Sequence, residues 1–480
     1  MGSSMDFSTA SSSAPNRIAI IGAGASGVLL SSAIARSSSG AEVTLSDPSP
    51  GRGVAYGDPR PEYLLNTRVG NMSLDLHTPG GFLTWLRANA ERPEGWTADD
   101  FAPRARFGDY LEHRLAAVLA GELGGPAPRL VRERVEAAEL SASQWRLRFT
   151  SGKTLTADVV VLATGWSRPR PLRFHGREEV DSLVRDDPWN AHALDGLEPG
   201  AQVLLIGSGL TALDVALAVW RKQPDAKVTA LSRHGMLPRV HGLPRRAAPV
   251  LSPPYPTTAR GLYAKLRAAA NFTEADGALR HGVFLNLRDV AAEIWAGLAP
   301  DERRMFLRHF RRYWDIERHR LPPAQAETLQ QAKDEGRFRL LRGWLAKAVR
   351  ASDESARALV PAKDDVLPLT VNRIINCTGP DQDPFRSRNP LILDLLAQGW
   401  AAADELNLGL QVDDDGAVLG SGGQASPGLY ALGPPTQGRF FEITGVPEIR
   451  AHAERLAARL GRTPQVPFAE PQRRRAGAAR

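Results

Sequence analysis

The strongest constraint on this chain is a pattern that occurs twice: a short aliphatic strand, a glycine-rich turn and an apolar-periodic helix. The first copy runs Arg17-Ile-Ala-Ile-Ile21, then Gly22-Ala-Gly24-Ala-Ser26-Gly27, then an apolar stretch through Val28, Leu29, Ala33 and Ile34. Each glycine has a separate task. Gly22 must turn sharply, Gly24 must let the backbone approach a pyrophosphate, and Gly27 must let the helix lie close to its strand; the free N–H groups at the helix start then hold phosphates. A second strand over 42–45 leads to Asp47, twenty residues past Gly27, the spacing at which an acid receives hydrogen bonds from an adenosine ribose.

The second copy has Gln202-Val-Leu-Leu-Ile206, then Gly207-Ser-Gly209-Leu210-Thr211-Ala212, a helix over about 212–219 and a strand over 227–231. Its equivalent of Asp47 is Ser232, followed by Arg233 and His234. Losing the acid and gaining a cation removes repulsion towards a 2′-phosphate and supplies a fork of donors for it. The expectation is therefore FAD or NAD on the first unit, with Gly22, Gly24, Ser26, Gly27 and Asp47 at the adenosine and pyrophosphate end. NADPH is expected on the second, held by Gly207, Gly209, Leu210, Thr211, Arg233 and His234.

At 480 residues the chain has room for two or three domains, and its 42% hydrophobic and 24% charged content is that of an ordinary globule. No apolar run approaches the roughly 20 residues of a membrane span, and 1–16 reads as a disordered leader with no export signal. The net charge of +7 is no nucleic-acid signature, because Arg473, Arg474, Arg475 and Arg480 of a basic tail over 465–480 account for four of the seven. The single cysteine, Cys377, excludes disulfide frameworks, thiolate zinc sites and a dithiol redox motif, and fits a reducing cytoplasm. No metal site is expected, and a homo-oligomer stays open.

The order of elements points to an interrupted fold. After the first nucleotide unit come a flexible glycine loop over 51–57, helices, and a period-two meander over 135–158 that feeds the apolar strand 159–162 and the turn Ala163-Thr164-Gly165. The same strand-and-small-turn device recurs at 371–380, and a last strand, 428–433, precedes a helix opened by Thr444-Gly445-Val446-Pro447. The expected boundaries are 17–194 for the first part of the flavin unit, 195–370 for the nicotinamide unit with an arginine-rich helical insertion over about 258–345, and 371–464 for the rest of the flavin unit.

These residues resemble the two-dinucleotide-domain flavoproteins, whose fold is α/β with two Rossmann-like units in the glutathione-reductase-like arrangement, one inserted in the other. Asp158-Val-Val-Val-Leu162-Ala-Thr164-Gly165-Trp166-Ser-Arg-Pro-Arg-Pro171 is similar to the motif of N-hydroxylating monooxygenases, while the Baeyer–Villiger signature is half present, with Phe174 and Gly176 but Val180 at its histidine position. A wider similarity, carried by 51–57, Leu65-Asn66, Gly108-Asp109-Tyr110-Leu111, Asp187-Pro-Trp189, 232–241, Tyr313-Trp314-Asp315, His319-Arg320, Gly433-Pro-Pro and Phe441-Glu-Ile-Thr444, links the chain to a bacterial family of FAD-NAD(P)-binding proteins that includes aspartate N-hydroxylases.

The resemblance implies FAD and NADPH, oxygenation of an amino-acid amine through a C4a-hydroperoxyflavin, and a small-molecule amine with O2 as the partners, neither nucleic acid nor membrane. No protein nucleophile is then required. Arg52, Asn66, Thr67, Thr164, Gly165, Gly433 and Thr444 are expected nearer the flavin ring. Arg311, Arg312, His319, Arg320 and Arg439 are candidates for holding a dicarboxylate, aspartate first, because forked donors orient carboxylates. Other amines stay open, as do an NADPH-dependent dehydrogenase on the same scaffold and a flavin-loaded binding protein.

Overall fold

A computed structural model describes residues 16–37, 40–89, 95–243, 251–272, 276–361 and 365–461. The expected leader, apart from Asn16, and the expected basic tail lie outside the described residues.

The first unit opens with β1 (Arg17–Ile21), α1 (Ala25–Arg36) and β2 (Glu42–Ser46). It continues through α2 (Gly53–Tyr56), α3 (Gly81–Ala88), α4 (Arg104–Leu119) and β3 (Arg129–Val131). The meander β4 (Val135–Ser141), β5 (Gln144–Phe149) and β6 (Thr154–Ala157) then delivers β7 (Val159–Leu162). All four residues of β7 are buried, the near-continuous apolar run that a parallel strand covered on both faces requires.

The second unit uses β8 (Val184–Arg185), β9 (Gln202–Ile206), α5 (Leu210–Lys222) and β10 (Lys227–Ser232). An insertion follows: α6 (Ala259–Phe272), α7 (Gly277–Gly297), α8 (Pro300–Met305), a π-helical turn over Phe306–Phe310, α9 (Arg311–Arg318) and α10 (Pro323–Asp334). The chain returns through β11 (Phe338–Arg342), a second meander of β12 (Lys347–Ser352), β13 (Ser355–Pro361) and β14 (Val366–Val371), and β15 (Arg373–Asn376). The last stretch is α11 (Pro390–Ala397), β16 (Ala417–Leu419), β17 (Ala425–Ala431), α12 (Gln437–Phe440) and α13 (Val446–Leu460).

Two sheets result. The first has the order β16-β17-β7-β1-β2-β3, parallel except for β16 against β17; the second has the order β11-β10-β9-β15-β8, parallel throughout. One α/β unit is thus inserted in another. The strand at 373–376, expected to begin the return to the first unit, pairs instead with β9, Ile374 opposite Leu204. The boundary therefore lies past Asn376, and because β8 at 184–185 joins the same sheet the unit also starts before 195. Likewise the insertion is helical only to Asp334, since β11 extends the sheet beside β10.

The insertion leaves its own sheet and packs on the first unit. Phe284, Trp295, Phe306 and Trp314 form one apolar cluster with Leu408 and Phe441. Two indoles fix the contact, Trp295 Nε1 donating to Gly438 O at 2.8 Å and Trp314 Nε1 to Glu442 Oε1 at 2.7 Å, the partners a buried indole needs. The insertion thereby roofs the space beside α13.

Candidate functional site

The first glycine turn is a cradle with no room for side chains where the fold demands none. A Cβ on Gly27 would stand 1.9 Å from Gly22 O, and one on Gly22, whose φ is +108°, would stand 2.4 Å from Ala163 O. A Cβ added to Gly24 would stand 3.4 Å from the Cα of Gly53, and the expected flexible loop holds a short helix, Gly51 N donating to Ala23 O at 2.9 Å. Helix α1 begins at Gly24 with neither a side-chain cap nor an acid in its first turn. Helix α13 starts after Gly445 without a side-chain cap, but it carries the acid Glu448 in its first turn. An uncapped, acid-free helix start behind a glycine turn is what an anionic dinucleotide calls for, so the residues of the first cradle fit FAD.

Around the cradle the other expected residues are spread unevenly. Thr164 and Gly165 follow β7 beside Gly22, with open space at Gly165, and Gly433 packs against Ser26, its added Cβ falling 2.5 Å from Ser26 Oγ. Asp47 first serves the turn: its carboxylate accepts from Ala23 N and Ser49 N, both at 2.8 Å. Arg52 is taken up by Asp109 at 2.5 Å and Glu112 at 2.9 Å, which makes it a brace for its loop.

A cleft of about 650 Å³ opens at the second glycine turn and is lined by Gly207, Gly209, Leu210, Thr211, Arg233 and His234 together. It lies beyond the carboxyl ends of β9 and β10, the ligand position of open α/β sheets. A Cβ on Gly209 would meet nothing within 4 Å, and α5 starts there without a side-chain cap or an acid in its first turn. Burial and the guanidiniums of Arg312, Arg233 and Arg342 push His234 below its usual range, so this corner concentrates positive charge. Arg342 was missed because it ends β11, a strand that only the sheet order brings beside β10.

A smaller cavity of about 160 Å³ lies beside the start of α13, under the insertion. It shares Asn66 and His319 with the cleft. Thr67, Thr444 and Gly445 line it with His241, His281, Arg288, Arg318 and Glu448. Its charges are paired internally: Arg288 with Glu448, Arg318 with Glu442 at 3.3 Å, and Glu317 with Arg320 at 2.9 Å. The imidazoles are different. His241 Nε2 meets Asn66 O at 2.9 Å and His281 Nδ1 meets Gly242 O at 3.0 Å. A carbonyl only accepts, so those nitrogens carry the protons and His241 Nδ1 and His281 Nε2 keep lone pairs. Burial, chiefly, pushes His241 down to about 3 and His281 to about 4, so both stay neutral.

The arginines expected to hold a dicarboxylate do not converge. Arg311 pairs with Asp315 at 3.4 Å, Arg320 is buried on Glu317, and Arg439 binds Asp414 at the surface. Arg312 and His319 line the nicotinamide-side cleft. Of the arginines that line the small cavity, Arg68 pairs with Asp99 at 3.1 Å, while Arg288 and Arg318 carry no sequence signal because their partners Glu448 and Glu442 lie over a hundred residues away. Among the described residues no cluster of His, Cys, Asp or Glu could hold a metal, and no helix is long and apolar enough to cross a membrane.

The architecture is that of two Rossmann-like α/β units, one inserted in the other. A family model described as FAD-NAD(P)-binding matches residues 19–167. No curated protein matches the sequence. Among solved structures, the ornithine N-hydroxylase of Kutzneria sp. 744 is 16% identical with a TM-score of 0.63, covering 94% of this chain and 99% of its own. The L-lysine 6-monooxygenase of Pseudomonas syringae is 17% identical with a TM-score of 0.60, covering 94% and 99%, and the cadaverine monooxygenase of Erwinia amylovora is 14% identical with a TM-score of 0.58, covering 97% and 100%. At such identities the likeness establishes a shared fold over nearly the whole chain.

Proposed function

We propose that this chain is an FAD- and NADPH-dependent monooxygenase that hydroxylates the amine of a small amino acid. The observation that carries the reading is the meeting of the dinucleotide cleft with the cavity at the start of α13, through Asn66 and His319. Solved structures with this fold include an ornithine N-hydroxylase, an L-lysine 6-monooxygenase and a cadaverine monooxygenase. FAD would lie on the cradle of Gly22, Gly24 and Gly27 and reach towards Thr444 and Gly445; when bound it supplies hydride acceptance from NADPH and activation of O2.

The chain's own residues do the rest. The start of α5 would hold the NADPH pyrophosphate, and Arg233, Arg312 and Arg342 its 2′-phosphate, aiming the nicotinamide past Thr378 and Gly379 towards Asn66. An amine attacks only as its neutral form, whose lone pair is free. His241 Nδ1 and His281 Nε2, bare acceptors, would each take an N–H of that amine and leave its lone pair directed outwards. Phe284, Leu285 and Pro447 would wall off water, which lowers the polarity around the nitrogen and favours its uncharged state.

Aspartate is the finer reading, favoured by the compact cavity; Arg288 and Arg318 within it are already paired with Glu448 and Glu442, so they lend it no free cation. The test incubates purified protein with FAD, NADPH, O2 and, separately, aspartate, ornithine, lysine and cadaverine, and follows hydroxylamine or nitroso products by mass spectrometry. Product from aspartate alone supports the finer reading, and product from another amine corrects it. NADPH oxidation that needs an acceptor other than O2, with no oxygenated amine, replaces the reading with a dehydrogenase.

A further inference from the structure

Two connections join the sheets: the segment leaving β7 through Gly165 to Arg173, and the segment leaving β15 through Gly379 to Arg388. Between them lies a cavity of about 130 Å³ lined by Arg168, Arg170, Arg173, Arg386, Arg388 and Asp381. Pro169 and Pro171 stiffen the first connection, and the segments touch through Asp381 N donating to Arg168 O at 3.2 Å.

The charge is one-sided. Arg386 is satisfied by Asp381 at 2.8 Å and Asp383 at 2.7 Å, and Arg168 lies 3.6 Å from Asp187. Among the described residues Arg170, Arg173 and Arg388 make no ion pair with a carboxylate. Five guanidiniums against three carboxylates leave two positive charges in a space a small oxyanion fills. Guanidinium forks converging from two chain segments match the oxygens of phosphate, which accepts paired N–H bonds and carries up to two charges.

We infer that this cavity binds a phosphate-class dianion that bridges the two interdomain connections. Bound there, the anion ties the connections together beyond their backbone hydrogen bond and relieves the repulsion among Arg170, Arg173 and Arg388. The site is separate from the dinucleotide cleft, with which it shares only Arg173 among its arginines.

Isothermal titration calorimetry on the full chain at constant ionic strength tests it with inorganic phosphate as the probe, and with glucose 6-phosphate, succinate and chloride as further arms. Saturable phosphate binding is expected, weakened about tenfold or more in Arg170→Ala/Arg388→Ala, the scale of losing two charge-assisted forks. It should survive in Arg233→Ala/Arg342→Ala, which strips the cleft instead. Tighter binding of glucose 6-phosphate than of inorganic phosphate marks a phosphorylated metabolite as the source; the reverse marks the free ion. Equal binding of succinate or chloride, no phosphate binding, or binding lost only in the cleft variant overturns the assignment. Both target arginines are exposed, so circular dichroism should show an intact fold in the variant.

Discussion

Arg233 and Arg342 reach the same corner from the ends of neighbouring parallel strands, and neither makes an ion pair among the described residues. A free cation at a cleft corner is the residue-scale mark of a phosphate reader, whereas Arg311, Arg320 and Arg439 are already matched with acids. Arg233→Ala and Arg342→Ala are each expected to raise the KM for NADPH about tenfold to a hundredfold, since a charge-assisted hydrogen bond contributes roughly 1.5–3 kcal/mol. The KM for NADH should barely move; steady-state kinetics with both donors would reject the assignment if the two rose together. The same reasoning applied to the acceptors predicts that His281→Leu uncouples turnover. NADPH oxidation should continue while hydroxylated amine falls and hydrogen peroxide rises, with His281→Gln, which keeps an acceptor, retaining part of the yield. Unchanged coupling in both variants would remove the imidazole from the substrate site.

Among the elements, the two glycine turns make a matched pair of experiments. Gly207 has φ +122° and its added Cβ would lie 2.3 Å from Cys377 O, so Gly207→Ala strains the backbone and drives β9 from β15, with an expected loss of about 2–3 kcal/mol. Gly209 has φ −80° and open space. Gly209→Ala should therefore leave the thermal midpoint unchanged yet weaken NADP+ binding, because a methyl then stands where the pyrophosphate must approach; a shifted midpoint with full binding would reverse the roles given to the two glycines. Both turns were legible in sequence because strand, glycines and helix are contiguous and each obeys a local rule. The strand at β15 was legible but its sheet was not, since membership of a parallel sheet depends on which strand lies alongside and not on its own residues. The insertion was legible as helical from its apolar spacing, but not its docking on Phe441, a contact between distant segments. For the same reason the meeting of His241 with His281, forty residues apart and 5.2 Å between ring centroids, carried no sequence signal.

Across the whole molecule, buried titratable groups make stability depend on acid in two opposed ways. His452, 1% exposed and with neither ring nitrogen hydrogen-bonded among the described residues, is pushed by burial down to about 3, in company with His241 and His281. Each stays neutral in the fold and takes up a proton near pH 6.5 once unfolded, so its contribution is complete above pH 6.5 and drains away as the pH falls towards the folded value. Asp214 acts the other way. Burial raises it to about 6 against the opposing pull of Arg104 at 3.6 Å and of Gln325, which donates at 3.0 Å, so the fold binds a proton that the unfolded chain refuses until about pH 4, and the cost of its buried charge disappears on acidification. Between pH 6 and 4.5 the unfolded chain gains up to three protons against one, a net loss of roughly 2–3 kcal/mol per pH unit. Urea midpoints should accordingly hold level from pH 8 to 6.5 and drop below it. His452→Leu should flatten that drop and Asp214→Asn should steepen it, each by up to about 1.4 kcal/mol per pH unit. A midpoint that stays level down to pH 5, or shifts in the two variants with the signs exchanged, would mean that these groups are wetter in solution than their packing allows.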